Sequence, residues 1–235
     1  MNARLLATFL LGGIAALDAT PVAQTLLSQP LVTATILGAV WGNLPLALEV
    51  GVVLQILAAS TLPVGARTPE DYAVGGVVGA GAALGLASQL PFEVSHNASA
   101  LLGALAGMVA AVLGVPLLKW QRRRNEGLSR WCESALGQGQ ESALAAAQAA
   151  GVVLSFATGV CLTAVLVGLA LRGLQGLATH ESLRLARAWG LAQPLWIGLG
   201  LAQLLHAFVQ RRLTRAALFG VALLAGWLAL MVGSQ

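Results

Sequence analysis

Residues 41–72 read WGNLPLALEVGVVLQILAASTLPVGARTPEDY. The run of about 19 residues from Leu44 to Leu62 is long enough to cross a bilayer at 1.5 Å rise per residue. It nevertheless carries Glu49 and Gln55, and it breaks into Ser60-Thr61, Pro63 and Gly65, followed by Arg67, Glu70 and Asp71. A spanning helix selected only for solubility in lipid would not keep these groups, because a charged side chain near the membrane centre costs from about 2.5 kcal/mol upward. The stretch therefore predicts a helical membrane fold whose binding site lies where polar groups interrupt an apolar run.

Composition supports this from outside the stretch. The chain is 57% hydrophobic and 9% charged, with a mean hydropathy of +0.81, whereas about a quarter of a soluble domain is charged. The apolar runs are long and continuous, which favours helices over barrel strands. The expected architecture is an all-α polytopic membrane protein, one integral membrane domain over residues 1–235. It would contain about 7–9 membrane segments, some of them broken or re-entrant helices. Apolar stretches fall at 5–17, 22–41, 44–62, 72–91, 98–118, 143–171, 188–209 and 214–232. The first is short and ends at Asp18 and Pro21, and the third ends in the Pro and Gly break. Such pieces resemble the interrupted helices that line transporter cavities. Pro194, Gly190, Gly198 and Gly200 interrupt the later part of the second half, residues 143–235. Set against the broken segments of residues 1–91, this faint symmetry admits an inverted repeat. The N-terminal run reads as a retained segment, since Asp18-Ala-Thr-Pro has no small-x-small cleavage site.

The 13 Lys and Arg residues, giving a net +4, concentrate in a few places. KWQRRRNEGLSRW holds Lys119, Arg122, Arg123, Arg124 and Arg130 between two tryptophans, so residues 119–142 are predicted to be a basic cytoplasmic loop. Arg211, Arg212 and Arg215 mark a second such loop, while Arg172, Arg184 and Arg187 fall on the outer side, a mild departure from the positive-inside rule. Residues 138–150 are expected to begin as an interfacial helix. The charge speaks to orientation and not to nucleic acid. Cys132 and Cys161 suggest neither a disulfide nor a metal site. No Walker loop, HExxH, CxxC or Gly-x-Ser-x-Gly motif occurs, so no catalytic residue, cofactor or metal is predicted. His96, His180 and His206 read as surface or interface residues. In residues 72–91, small-xxx-small spacing at 75/79 and 81/85 predicts close helix packing.

Two residues stand out as binding candidates. Asp71 can be a helix N-terminal charge favoured by the dipole, or a carboxylate that accepts hydrogen bonds from a polyhydroxylated solute. Gln55 brings donors and an acceptor into an apolar run, so burial demands a partner: a sugar hydroxyl, a neighbouring helix or water. Glu49 lies about 120° around the helix from Gln55 and is expected to pair with an arginine on another helix.

At these residues the sequence resembles the membrane subunit IIC of mannose/fructose/sorbose-type phosphotransferase systems. The matching positions are Gly42, Gln55, Pro63, Val64, Gly65, Ala66 and Asp71, with Pro30 and Leu31 upstream in QTLLSQPLVTATILG. The resemblance covers about residues 5–90, and GLGLAQLLHAF agrees faintly beyond it. Asn43 stands where that family usually has Asp, Gln29 where Arg is common, and Glu70 where Pro or Ala precedes Pro-Asp. The resemblance implies a sugar-translocating subunit of the bacterial inner membrane, importing a hexose or amino sugar, with substrate contacts at Gln55, Asp71, Gly65 and Gln24. It implies an oligomeric complex with a IID-like membrane subunit, and phosphorylation of the sugar by a cytoplasmic phospho-IIB protein fed by IIA. The phosphorylated histidines would then lie on those partners. A transporter or sensor uncoupled from phosphorylation, and a structural membrane subunit, are the alternatives.

Overall fold

A computed structural model of the chain describes residues 3–19, 22, 25–59, 70–89, 92–209 and 211–233. Among these residues it is entirely helical: α1 Ala3–Ala19, α2 Pro30–Trp41, α3 Leu44–Ala59, α4 Tyr72–Ala87, α5 Phe92–Gly137, α6 Ala143–His180, α7 Ser182–Phe208 and α8 Arg212–Gly233. The Pro and Gly break over residues 60–69 lies outside the described residues.

Helices α2, α3 and α4 have 12, 16 and 16 residues. At 1.5 Å per residue they reach about 18 to 24 Å, short of the roughly 30 Å hydrocarbon core. Local chemistry sets their ends. Pro30 starts α2 after an extended Gln29, the position at which proline is pre-set for a helix and its missing N–H is no loss. Gly42 closes α2 at φ 78°, donating its N–H to the Gly38 carbonyl. Asn43 Oδ1 then accepts the Leu46 N–H at 3.3 Å, capping α3. The two short helices fold back on each other, and Gly51 permits it, since a Cβ there would lie 2.6 Å from the Ala34 Cβ.

Helix α4 is the hub. Every residue from Val74 to Leu86 is buried, as expected of a helix that is apolar all round. Its glycines admit neighbours on several faces. A Cβ at Gly75 would lie 2.8 Å from the Gly107 carbonyl of α5, and one at Gly76 would lie 2.7 Å from Pro30 Cα. On the remaining sides Gly81 meets Thr8 of α1 and Gly85 meets Leu171 of α6. The α5 face is matched in kind: Gly103 and Gly107 lie against the Gly79 and Gly75 carbonyls. The predicted close packing is present and involves two small-xxx-small pairs facing each other.

Three expectations change. Residues 119–137 are not a loop: α5 runs unbroken for 46 residues through the basic cluster, and only residues 138–142 turn. The physical reason is that Lys, Arg, Gln and Glu are good helix formers, and no proline stands between Pro116 and the turn. Helix α6 likewise runs as one 38-residue piece, with no separate interfacial helix before the crossing. Pro194 sits inside α7 without ending it, so the interruption expected there from the sequence is absent. Helices α5 and α6 are long and apolar enough to cross a membrane. At about 69 Å, α5 is more than twice the hydrocarbon thickness. Its far end pairs with the start of α6 through Cys132, Ala135 and Ala143 to form a projecting helical hairpin.

Candidate functional site

A cavity of about 650 Å³ lies where six elements meet, within the roughly 300–1,000 Å³ usual for small-ligand sites. The turn before α2 contributes Ser28 and Gln29, the end of α3 Gln55, and the approach to α4 Glu70 and Asp71. Helix α5 contributes Gln121, Arg122 and Asn125, and α6 contributes Thr158. Apolar surface between them comes from Ala16, Ala58, Ala59, Leu117, Leu118 and Leu162. Neutral amides and hydroxyls set among small apolar groups can exchange hydrogen bonds with a hydroxylated solute and pack against its C–H faces.

Gln55 on α3 and Asp71 at the N-cap of α4, 16 residues apart, line this one cavity. The side-chain amide of Gln55 donates from Nε2 to Gln29 Oε1 at 2.6 Å, and its Oε1 accepts the Leu31 N–H at 3.2 Å. A neighbouring element thus supplies partners to both ends of the Gln55 amide. Gln29, where the resembled family commonly has Arg, thus forms an interlocked amide pair on the cavity wall. Asp71 Oδ1 accepts the Val74 N–H at 3.2 Å and caps α4, while its own N–H donates to the Ala111 carbonyl of α5 at 2.9 Å. Both readings of Asp71 are therefore compatible: it caps the helix and faces the cavity. Gly114 makes room for it, since a Cβ on that residue would lie 2.6 Å from the Asp71 Cβ. Gln24 and Gly65 lie outside the described residues.

Glu49 is elsewhere, and the expected arginine partner is replaced. Its Oε1 pairs with His96 Nε2 of α5 at 3.1 Å, and its Oε2 accepts from Trp189 Nε1 of α7 at 3.2 Å. The sequence could not show that His96 of α5 and Trp189 of α7 converge on Glu49 of α3.

The α5 wall was missed. Leu118, Gln121, Arg122 and Asn125 recur at i, i+3, i+4 and i+7, one helical face. That pattern is visible only if the basic segment is read as helix. Gln121 is buried and donates to Ser155 Oγ of α6, tying the two long helices beside the cavity. Arg122, read as a topology signal alone, lines the cavity, whereas Arg123 and Arg124 do not.

Comparison with known proteins places this architecture. The family model EII-Sor, described as PTS system sorbose-specific IIC component, matches residues 3–233. No curated protein matches the chain. Among solved structures, one described as a membrane protein superposes with a TM-score of 0.71 at 14% identity, covering 97% of this chain and 96% of that one. The cryo-EM structure of the mannose transporter ManYZ with microcin E492 superposes with a TM-score of 0.53 at 16% identity, again covering 97% and 96%. These likenesses concern the fold, and the family match spans nearly the whole sequence. The chain belongs to the EII-Sor family: it is a membrane-embedded IIC component of a mannose-type phosphotransferase sugar transport system.

Proposed function

We propose that the cavity is the sugar site of this IIC subunit, and that Gln55 and Asp71 bind the sugar during transport. The observation that carries the reading is convergence: residues singled out separately in the sequence line one cavity, with Gln29, Gln121, Asn125 and Thr158 added by the fold. Each amide can both donate and accept, matching the alternating hydroxyls of a hexose or amino sugar, and the Asp71 carboxylate accepts from a hydroxyl. Apolar alanines and leucines complete the wall.

The subunit works in the bacterial inner membrane beside a IID-like subunit. The imported sugar is phosphorylated by a cytoplasmic IIB protein charged by IIA. The projecting α5–α6 hairpin, with its arginines, is on the cytoplasmic side in this reading. Gly65 and Gln24 are proposed as further substrate contacts on the strength of the family resemblance alone.

The test is calorimetric binding of a panel of hexoses and amino sugars to the purified complex. Asp71→Ala and Gln55→Ala are expected to weaken binding tenfold or more with membrane insertion intact, since an unpaired buried polar partner costs about 1–3 kcal/mol. Unchanged affinity in both moves the site elsewhere and favours a structural role for this subunit.

A further inference from the structure

Asp18, the penultimate residue of α1, is a buried carboxylate outside the cavity lining. Nothing in the proposed sugar contacts uses it. Its oxygens are nonetheless fully directed: Oδ1 accepts from the Thr25 N–H at 2.5 Å and from Thr25 Oγ1 at 2.7 Å, and Oδ2 accepts from the Ser28 N–H at 2.8 Å. These donors are seven and ten residues further along the chain, on the non-helical segment that leads into α2. The next residue after Ser28 is Gln29, whose side chain holds the Gln55 amide. Gln55 in turn accepts from the N–H of Leu31, in the first turn of α2. Asp18 thus anchors, through Ser28 and its peptide link to Gln29, the hydrogen bonds that finish on the cavity wall.

We propose that Asp18 is a positioning residue for sugar binding: its carboxylate pins residues 25–28 so that Gln29 presents the Gln29–Gln55 amide pair to the cavity. This rests on the reading of the cavity as the sugar site. The chemistry calls for a carboxylate in particular. Three donors converge on both oxygens, and Asp offers acceptors only. In an Asn the second oxygen becomes an NH₂ group, which would face either the Ser28 N–H or the Thr25 donors, donor against donor. The turn is otherwise lightly held: among the described residues its backbone contributes the Gln29 N–H to Leu26 carbonyl bond, across Leu26 at φ 71°. Such a φ is unfavourable for a leucine, so the segment depends on fixed contacts at its flanks.

The experiment compares wild type, Asp18→Asn, Thr25→Val, Thr25→Ser and Gln55→Ala in the intact transport complex. It reads hydrogen exchange of the 25–31 amides and calorimetric affinity for sorbose, mannose, fructose and glucosamine. Asp18→Asn is expected to speed exchange at Thr25 and Ser28 at least tenfold, leave α4 and α5 protected, and weaken sugar binding about tenfold. Thr25→Val, which keeps the backbone donor and loses the hydroxyl, is expected to weaken binding about threefold, and Thr25→Ser to restore it. If Gln55→Ala weakens binding while Asp18→Asn and Thr25→Val match wild type, the positioning role is overturned and the sugar site stands. If Asp18→Asn fails to assemble, the Thr25 pair decides: Thr25→Val equal to Thr25→Ser overturns the proposal. If wild type binds none of the sugars, or Gln55→Ala and Asp18→Asn both bind as wild type does, the site reading falls and Asp18's role falls with it.

Discussion

The two ends of the story of α4 lie within a few residues of each other. From Val74 onward the helix is wrapped on all sides, and glycines let backbones of α2 and α5 approach until no Cβ would fit. Just before it, Glu70 and Asp71 line a cavity of about 650 Å³ edged by amides. In the first region stability comes from excluding bulk, because van der Waals contact between close backbones is what holds apolar helices together in lipid. In the second, polar groups are anchored by hydrogen bonds around a space that leaves room for a solute. The lesson is that a small-residue hub can serve as a rigid frame on which a polar site is built, and that substitutions should fail in opposite ways on its two sides.

The sharpest contrast is expected in the glycine shell. Gly79→Leu places bulk against Leu54 and the Gly103 carbonyl, and Gly107→Leu against the Gly75 carbonyl. A rigid backbone cannot yield as a side chain can, and overpacking costs about 1–3 kcal/mol even for single methylenes. Both variants should largely lose assembled complex, measured by detergent-resistant co-purification with the partner subunit. Normal assembly would break the comparison, since the shell would then tolerate what its geometry forbids.

Next come the cavity variants, whose effect should be on affinity and not on assembly. Asp71→Ala and Gln55→Ala should lose tenfold or more in sugar binding, as set out above. Asp71→Asn should be intermediate, because the amide oxygen still caps α4 through the Val74 N–H while the charge is gone. Calorimetry on the three variants ranks them, and an Asp71→Asn result no better than alanine would assign the whole effect to charge.

A smaller effect separates neighbouring arginines. Arg122 lines the cavity and Arg123 does not. Both are exposed, so solvent screening limits a charge contact to about 1 kcal/mol, about fivefold in affinity. Arg122→Ala should lower sugar affinity by roughly that factor or less, and Arg123→Ala should leave it unchanged, with insertion alike in both. Equal affinities in the two variants would return Arg122 to the role of a topology signal.

These residues also show what could be read from the chain and what could not. Apolar length announced the helices, and the polar interruptions at Gln55 and Asp71 marked the cavity, because lipid makes such groups expensive unless they have work to do. The α5 wall is hard to see in the sequence because dense charge resembles a loop, although the segment is rich in helix formers and Gln121, Arg122 and Asn125 keep a helical spacing. Asp18 was visible only as the end of an apolar run. Its partners lie in an irregular segment, and no periodicity connects a carboxylate to N–H groups seven and ten residues away. Glu49 shows a third limit: its need for a partner was legible, but that the partners are His96 and Trp189 depends on which helices meet.

The smallest expected effect concerns Asn43, where the family usually has Asp. As a difference in sequence it could be taken for a change at the sugar site. In the structure Asn43 stands at the turn between α2 and α3, away from the cavity lining, and its Oδ1 accepts the Leu46 N–H at 3.3 Å. Asn and Asp cap helices about equally well, and the added charge of Asp at a helix start is favourable by some 0.3–1 kcal/mol at most. Asn43→Asp should therefore change sugar affinity less than about twofold and leave thermal stability equal or slightly raised. Asn43→Ala, which removes the cap, should destabilise by about 1 kcal/mol without moving affinity. The two readouts together decide the matter: a change in affinity with Asn43→Asp, at unchanged stability, would place this turn within reach of the sugar and dissolve the division between frame and site.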